Sequence, residues 1–204
     1  MRRTIFAAAA TLSLALPAHA QDSGQTLTDG TRVRADDSQK LAQFDSLYGQ
    51  ALRTAFATGQ PADIATLTGA LTGPAMAPKP ALQALKGDWK CRMMKAGDTT
   101  TLIVYDNFDC RFDGTTFKKG TGSQQTEGTI HTDGDRLIYL GTGYVQGSEV
   151  PAYADLPDDP LNAPGMGQKW ADIAVVEVIS DKRARLIFPD PTLESQLNVL
   201  YLTR

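Results

Sequence analysis

In the first part of the chain, apolar residues recur every three or four positions, which is the spacing of an amphipathic helix. These residues are Leu41, Phe44, Tyr48, Leu52 and Phe56. The pattern predicts a helix that begins near Ser38 and ends at Gly59, and a second, shorter helix that begins at Pro61. Three prolines within residues 73–80 predict an extended connector. Residues 36–80 are therefore expected to form a helical annex with a Pro-rich connector.

Beyond residue 80 the pattern changes to short β-prone runs separated by Gly, Asp and Asn. The candidate strands are Trp89–Lys95, Thr100–Tyr105, Asp109–Phe112, Thr115–Lys119, Gln124–His131, Arg136–Tyr144, Ile173–Ile179, Arg183–Phe188 and Leu197–Leu202. Most of their connections are short and suit antiparallel neighbours, because a parallel crossover needs about a dozen residues or more. Closing the sheet into a barrel would remove its exposed edges. The sequence thus predicts an α+β fold, in which an N-terminal helical pair precedes an antiparallel, barrel-like β-sheet over residues 81–204.

The hydrophobic pattern of residues 1–20 is that of a secretory signal peptide. An arginine pair precedes the apolar run Ile5–Leu16, and the small residues that follow favour cleavage after Ala20. The run is too short to span a bilayer, which needs about 20 apolar residues, and no later segment meets that requirement. We therefore expect an exported protein of the bacterial periplasm with no membrane span. The polar residues 21–35 are expected to be a flexible lead-in.

The charge balance argues against nucleic acid and anionic membranes as partners. The chain has 20 basic and 23 acidic residues. Without the two arginines of the signal segment, 18 basic residues remain against 23 acidic ones, which leaves a net charge of −5. Binding to a polyanion requires the opposite sign along one face, and the sequence has no basic stripe. The expected partner is a small-molecule ligand or a periplasmic protein.

Cys91 and Cys110 are the only cysteines, and an even pair in an exported protein usually forms a disulfide. A simple hairpin that turns near Gly97 would place Cys91 opposite a residue near Val104. A disulfide between the two cysteines therefore requires a bend or a third strand, and Asn107 is the candidate for the bend.

No pattern in the chain predicts catalysis, a metal or a cofactor. Gly120-Thr121-Gly122-Ser123 lacks the lysine and the following helix of a phosphate-binding loop. His131 is the only histidine after the signal segment, and Ser123 lacks the Gly-x-Ser-x-Gly context of a nucleophile. Two cysteines and one histidine would still need a fourth ligand to hold zinc. We expect no catalytic residues, no metal and no cofactor, and hence a protein that is not an enzyme.

Five residues are candidates for ligand binding: Glu177, Arg185, Tyr144, Tyr153 and Trp170. If the apolar neighbours of Glu177 face the barrel exterior, Glu177 points inward, and Arg185 would be its partner. This pair is either an internal salt bridge or a ligand anchor. The Pro-rich residues 145–169 predict either an irregular connection or a lid over a mouth lined by the three aromatic residues.

The segment Gly87-Asp88-Trp89 resembles the Gly-x-Trp signature with which lipocalin-type barrels begin. The resemblance implies a lipocalin-like barrel in which Trp89 packs across the floor and Arg204 or Arg185 stacks on it. A closer resemblance covers most of residues 40–204. It rests on Trp89–Arg92, Phe108–Phe112, Lys118–Gly128, Phe188–Ser195 and Leu197–Leu200, and links the chain to an exported bacterial family, domain of unknown function 4893. That family implies a fold and a compartment but no activity.

Three classes of function are compatible with these observations. A carrier barrel would have an apolar interior cavity with one or two polar anchors. An interaction protein, such as a protease or lysozyme inhibitor, would have a filled barrel and a binding loop. An enzyme is the class least supported, because no general acid–base pair is visible. The polar residues Ser123–Glu127 form either a hydrogen-bonding surface or a solvated hairpin. Non-enzymatic binding of a small ligand in the barrel is the expected function. The volume of the barrel interior distinguishes it from the inhibitor, because a carrier has a cavity there and an inhibitor has a filled barrel.

Overall fold

The computed structural model describes residues 24–97 and 100–204. The signal peptide predicted at residues 1–20 lies outside the described residues. Within them, no helix is both long enough and apolar enough to cross a bilayer.

Four helices precede the sheet. They are α1 (Ala35–Ala42), α2 (Phe44–Thr58), α3 (Pro61–Leu71) and α4 (Pro78–Leu85). The first predicted helix is divided at Gln43, whose backbone leaves the helical region between α1 and α2. The extended connector is shorter than predicted, because Pro78 and Pro80 lie in the first turn of α4. Proline is tolerated there since those backbone positions need no N–H donor within the helix.

Eight antiparallel strands form a closed barrel in chain order, with the last strand paired to the first. They are β1 (Gly87–Gly97), β2 (Thr100–Asp113), β3 (Thr116–Lys119), β4 (Gln124–Asp133), β5 (Arg136–Val145), β6 (Lys169–Ser180), β7 (Arg183–Pro189) and β8 (Leu197–Thr203). This confirms the predicted α+β fold with an antiparallel barrel. Two of the predicted strands are one continuous β2, because a register shift between Arg92 and Met94 of β1 absorbs the expected bend.

One end of the barrel, called the floor here, is closed by α4. Ala81 and Leu85 of this helix belong to the same buried cluster as the inner face of the sheet. The Trp89 indole N–H donates to the carbonyl oxygen of Leu85 over 2.6 Å. The Arg204 guanidinium lies 4.2 Å from the centre of the Trp89 ring, and it donates to carbonyl oxygens at the end of α4. The arginine–tryptophan stack expected of a lipocalin-like floor is therefore present, and Arg204 makes it.

The interior above the floor is filled by side chains. A continuous series of aromatic contacts runs through it, with ring centroids 4.6 to 6.4 Å apart. The series is Trp89, Phe112, Phe117, Tyr139 and Phe188. Among the described residues, these rings and their neighbours fill the half of the barrel next to the floor, called the lower barrel here.

The outer wall of the barrel is also covered. Helices α2 and α3 pack over outward residues of β1, β7 and β8, including Met94 and Val199. Residues 24–34 and the single turn Tyr153–Asp155 cover the outer faces of β5 and β6. Leu27 and Val33 are buried there, so this part of the expected flexible lead-in is anchored to the sheet.

The predicted disulfide between Cys91 and Cys110 is confirmed, with the two Cα atoms 5.9 Å apart. Cys91 lies opposite Phe108, and Cys110 lies two residues further along β2 on the same inner face. Val104 faces Met94 instead of Cys91. The strand register predicted for a simple hairpin, with Cys91 opposite a residue near Val104, was therefore wrong. The strands turn after Gly97, and the irregularity in β1 shifts the register further.

Candidate functional site

The structure places Glu177 and Arg185 on the outside of the barrel. Their neighbours Val176 and Val178 belong to the inner cluster, so the condition for an inward Glu177 is not met. The Arg185 Nε donates to Glu177 Oε2 over 2.5 Å, and the same guanidinium donates to the carbonyl oxygens of Ala70 and Gly73. The pair therefore fastens the C-terminal end of α3 to the barrel wall.

Tyr144 and Tyr153 also lie on the outer wall. Tyr144 is out of phase with the inward Tyr139 on β5, and Tyr153 packs in the outer cluster. The Tyr153 hydroxyl donates to Asp37 Oδ2 over 2.7 Å and accepts the backbone N–H of Arg34. Burial beside Asp37 raises the pKa of Tyr153.

The segment between β5 and β6 runs along this outer wall. Pro151 O accepts a hydrogen bond from the Thr142 hydroxyl, and the Arg34 guanidinium donates to the carbonyl oxygens of Leu156 and Pro157. Leu156 is buried with Tyr153 in the outer cluster. Of the three aromatic residues expected to line the mouth, only Trp170 lies inside the barrel.

Trp170 takes part in a polar network in the upper half of the barrel. Its indole N–H donates to Asp172 Oδ1 over 2.9 Å, and the Thr126 hydroxyl also hydrogen-bonds this carboxylate. The hydroxyls of Thr126 and Tyr139 are 2.7 Å apart, which extends the network across three strands. Burial raises the pKa of Asp172 to about 6, although the hydrogen bonds from Thr126 and Trp170 oppose the shift.

Two glycines of β5 make room for this network. A methyl group at Gly143 would lie 2.0 Å from Nε1 of Trp170, which occupies the opposing position on β6. A methyl group at Gly141 would lie 2.0 Å from the Tyr139 hydroxyl. Glycine is required at both positions because the neighbouring side chains cross directly over the strand.

At the open end of the barrel, called the mouth here, the side chains of Lys95 and Lys119 are buried in the wall and reach a common cavity. The Lys119 Nζ donates to the carbonyl oxygens of Thr121 and Gln124, each over 2.7 Å, and lies 3.9 Å from the centre of the Phe108 ring. Burial, and to a lesser extent the charge of Lys95, lowers the pKa of Lys119 to about 8.

Lys95 is the second buried cation of the mouth. Its Nζ donates to Gln124 Oε1 over 2.9 Å and to Glu194 Oε2 over 2.6 Å. The Lys95 side chain is only 5% exposed, whereas the Glu194 side chain is 53% exposed. The cation thus belongs to the wall and the anion reaches it from the solvent side.

The mouth contains a cavity of about 260 Å³. Its lining comprises Met93, Lys95, Tyr105, Phe108, Lys119, Gly122, Ser123, Gln124 and Glu194. A smaller space of about 40 Å³ shares Met93, Lys119 and Gln124 with it and reaches Trp170 and Asp172. A space of that size accommodates one or two water molecules at most.

Larger depressions on the outer wall are weaker candidates for a site. The lining of one, of about 490 Å³, includes charged residues that already pair with one another, Lys90 with Asp109 and Arg111 with Asp88. These four side chains are more than half exposed, so water screens them. The buried lysines of the mouth have no comparable screening, which makes the mouth the best candidate site.

His131, the histidine considered for catalysis, has both of its side-chain partners on one ring nitrogen. His131 Nδ1 lies 3.0 Å from both Asp29 Oδ2 and the Thr31 hydroxyl. A Ser-His-Asp relay needs the acid and the nucleophile on opposite ring nitrogens, and here both groups contact the same one. Among residues 24–97 and 100–204, no group of three or more His, Cys, Asp or Glu side chains is placed to hold a metal ion.

The predicted site residues omitted most of the mouth. The inward direction of Lys119 and Asp172 could have been inferred from the sequence. Each lies two positions along a strand from an inward apolar residue, Phe117 and Ala174 respectively. A charged residue in phase with a buried face of a strand is unusual and therefore informative. Within Ser123–Glu127, Gln124 and Thr126 contribute to the mouth and to the network below it, so part of this stretch is more than a solvated hairpin.

Comparison with known proteins adds a family. A search of the curated proteins found no match, and a search of the solved structures found none either. The family model described as Domain of unknown function (DUF4893) matches residues 30–202, which include the four helices and all eight strands except the last residue of β8. The chain therefore belongs to the DUF4893 family.

Proposed function

We propose that this protein is a non-enzymatic periplasmic binding protein that holds a small organic ligand in the mouth of its barrel. The observation that carries the proposal is the pair of buried lysines, Lys95 and Lys119, in the wall of an open cavity. Burying an amine is unfavourable unless its charge has a partner. Two such amines beside a cavity supply the polar anchors that orient ligands in binding sites.

The size and lining of the cavity support a small ligand with an apolar part. Its volume of about 260 Å³ lies just below the range of roughly 300–1,000 Å³ that is common for ligand pockets. Met93, Tyr105 and Phe108 provide apolar contacts beside the lysines. Because aromatic side chains fill the lower barrel, the ligand binds in the mouth and not in a hollow core.

The compartment is part of the proposal. Residues 1–20 have the pattern of a signal peptide, and a disulfide is most stable in an oxidising compartment. Protein recovered from the periplasmic fraction is expected to begin at Gln21. A chain that keeps its first 20 residues and stays in the cytoplasmic fraction would contradict this assignment.

The test is native mass spectrometry of protein purified from periplasm, before and after organic extraction. We expect a co-purifying small molecule that extraction removes and that is missing from a Lys119→Met variant. Lys90→Met is the matched control, because Lys90 is 63% exposed on the outer wall and pairs with Asp109. Equal ligand content in the wild type and in Lys119→Met would refute binding in the mouth. So would the lack of any bound molecule together with no thermal stabilisation by a library of small organic compounds.

The filled lower barrel supports a second candidate, an interaction protein such as a protease or lysozyme inhibitor. In this case the segment between β5 and β6 would be the binding loop, and Leu161, 37% exposed, its apolar contact. A Leu161→Asp variant would then lose inhibition of lysozymes or serine proteases, whereas Lys119→Met would keep it. Deleting the whole segment is a poorer test, because Tyr153 and Leu156 cover the outer face of the sheet.

A further inference from the structure

We propose that the mouth binds the carboxylate of a small organic acid, and that Glu194 occupies the carboxylate position when the ligand is absent. This inference rests on the proposed function, because it names the class of ligand for the same cavity. The ligand would replace the Glu194 carboxylate beside Lys95 and place its apolar part against the aromatic rings of the mouth.

The contact between Lys95 and Glu194 shows which partner can leave. Lys95 Nζ is fixed in the wall by Gln124 Oε1 and lies 2.6 Å from Glu194 Oε2. The Glu194 side chain is half exposed and therefore already partly solvated, so water can replace its contacts with Lys95 and with Gln124, which also hydrogen-bonds its carboxylate. Lys95 cannot follow it, because its own side chain is almost completely buried. Removal of Glu194 would leave a buried cation that favours another anion.

The backbone that carries Glu194 is held in an unfavourable conformation. Glu194 has φ of +67° and Asp190 has φ of +43°, in the left-handed region that favours glycine. The base of this segment is closed by hydrogen bonds from Asp190 N–H to Gln196 O and from Gln196 N–H to Ala96 O. Displacing Glu194 can therefore relax its own backbone at the tip of the segment, while the base, which includes Asp190, stays in place.

Lys119 supplies a second donor for the ligand. An ammonium group has three N–H donors, and two of those on Lys119 go to the carbonyl oxygens of Thr121 and Gln124. The remaining donor and the Lys95 ammonium line one cavity. When Glu194 leaves, the two lysines form a cationic pair, which is the partner that a carboxylate requires.

The apolar part of the lining restricts the ligand further. Tyr105 and Phe108 present rings in the same cavity, and Met93 adds a flexible thioether. A bare inorganic anion would leave these groups without contacts. A carboxylate attached to a ring or a short aliphatic chain satisfies both halves of the cavity.

The test is isothermal titration of the mature protein with benzoate. We expect weak binding to the wild type and roughly tenfold tighter binding to Glu194→Gln, because the internal competitor no longer carries a charge. Glu194→Ala should show the same gain and guards against an effect specific to glutamine. Glu127→Gln is the matched control, because Glu127 also pairs with a lysine, Lys118, but on the outer wall; its affinity for benzoate should equal that of the wild type.

The neutral analogue benzamide and inorganic phosphate complete the design. Neither should bind Glu194→Gln as well as benzoate does. Equal affinities of wild type and Glu194→Gln for benzoate would overturn the role of Glu194, and stronger binding of phosphate or benzamide would overturn the ligand class. If benzoate fails in all variants while a neutral molecule co-purifies with the wild type and is lost in Lys119→Met, the inference fails but the proposed function stands. If Lys119→Met also changes nothing, both fail.

Discussion

At the scale of single residues, Asp172 is the clearest departure from what stability alone would favour. Its carboxylate lies in the barrel interior, and Trp170 and Thr126 are its hydrogen-bond partners. Burial of a charge without a cationic partner is unfavourable, and the raised pKa expresses that cost. A residue kept in this position is a candidate for a role in binding, through the water-sized space that it shares with Lys119.

The pH dependence of stability tests this view of Asp172. The pKa of about 6 in the folded protein exceeds the ordinary value of 3.8, so the folded form holds a proton that the unfolded form has already lost. The contribution of this group to stability is therefore fully present below about pH 4 and is lost as the pH rises through 6. Asp172→Asn removes this loss and should be more stable than the wild type at pH 7, by on the order of 3 kcal/mol.

Urea unfolding of the wild type and Asp172→Asn at pH 4 and pH 7 measures the difference. The gain should be confined to pH 7, and the exposed control Asp158→Asn should show none. A variant that is less stable than the wild type at pH 7 would show that the carboxylate stabilises the fold.

Lys119 provides a second prediction at this scale, which concerns ligand affinity. Its pKa of about 8 means that its ammonium loses its proton near the upper end of the physiological range. The charged groups that face it are Lys95, which favours this loss, Glu194 in the mouth, and Asp172 across the smaller space below. Benzoate affinity should therefore decrease as the pH rises through 8. In Lys119→Arg the decrease should vanish, because arginine stays protonated. Titrations at pH 6.5 and pH 9 distinguish the cases, and an equal decrease in the arginine variant would assign the titration to another group.

At the scale of elements, the ion pair of Glu177 and Arg185 attaches helix α3 to the barrel. The Arg185 guanidinium satisfies carbonyl oxygens at the end of α3 that have no partner within the helix. Glu177→Gln should therefore leave benzoate binding in the mouth unchanged and destabilise the docking of α3. Arg185→Met should have the larger effect, about 3 kcal/mol, because it leaves a carboxylate and several carbonyl oxygens without their donor.

Hydrogen exchange measures this effect locally. Amides of α3 should exchange faster in both variants, whereas amides of β3 and β4 should keep their protection. Loss of ligand affinity in Glu177→Gln with normal protection of α3 would instead support the role of ligand anchor.

The elements also show what could be predicted from the sequence and why the rest could not. Most strands were predicted because each alternates or is uniformly apolar between turn residues. The direction of Glu177 was not predictable, because both faces of β6 are buried. Val175 lies under the outer cluster and Val176 lies in the core, so hydrophobicity does not distinguish inside from outside.

The candidate site was harder to predict than the strands, since its parts are distant in sequence. Lys95, Lys119 and Glu194 come from β1, β3 and the connection between β7 and β8. Only the closed barrel brings them to one mouth. The glycines at 141 and 143 were a usable signal, because glycine in a strand interior marks the close approach of a neighbouring group.

At the scale of the whole molecule, the parts of the barrel that helices and loops leave uncovered are the parts where a ligand can bind. Helices α2 and α3 and residues 24–34 cover parts of the outer wall, α4 closes the floor, and aromatic side chains fill the lower interior. The mouth is the end at which the cavity of about 260 Å³ opens. The same coverage makes the barrel a rigid support for the two lysines, which is what a preformed binding site requires.

The disulfide joins this architecture to the proposed compartment. Cys91 and Cys110 are 19 residues apart, and a crosslink over a loop of that length contributes about 3 kcal/mol by restricting the unfolded chain. The double variant Cys91→Ala/Cys110→Ala should lose about this amount of unfolding free energy. It should keep its fold, because β1 remains hydrogen-bonded to both β2 and β8.

Urea unfolding followed by circular dichroism measures this loss of unfolding free energy. The intact mass shows whether the exported protein carries the disulfide. Protein that is expressed from the full sequence and recovered from periplasm should be lighter than residues 21–204 produced in a reducing cytoplasm. Once the added initiator methionine is subtracted, the difference should equal the two thiol hydrogens. The cytoplasmic form should unfold at the lower urea concentration of the double variant and regain the higher one after oxidation. If the periplasmic protein carries free thiols, or if the double variant is as stable as the wild type, the disulfide is not what adapts this barrel to an oxidising compartment. Ligand affinity should be the same in both redox forms, because the mouth is lined by groups that the crosslink does not include.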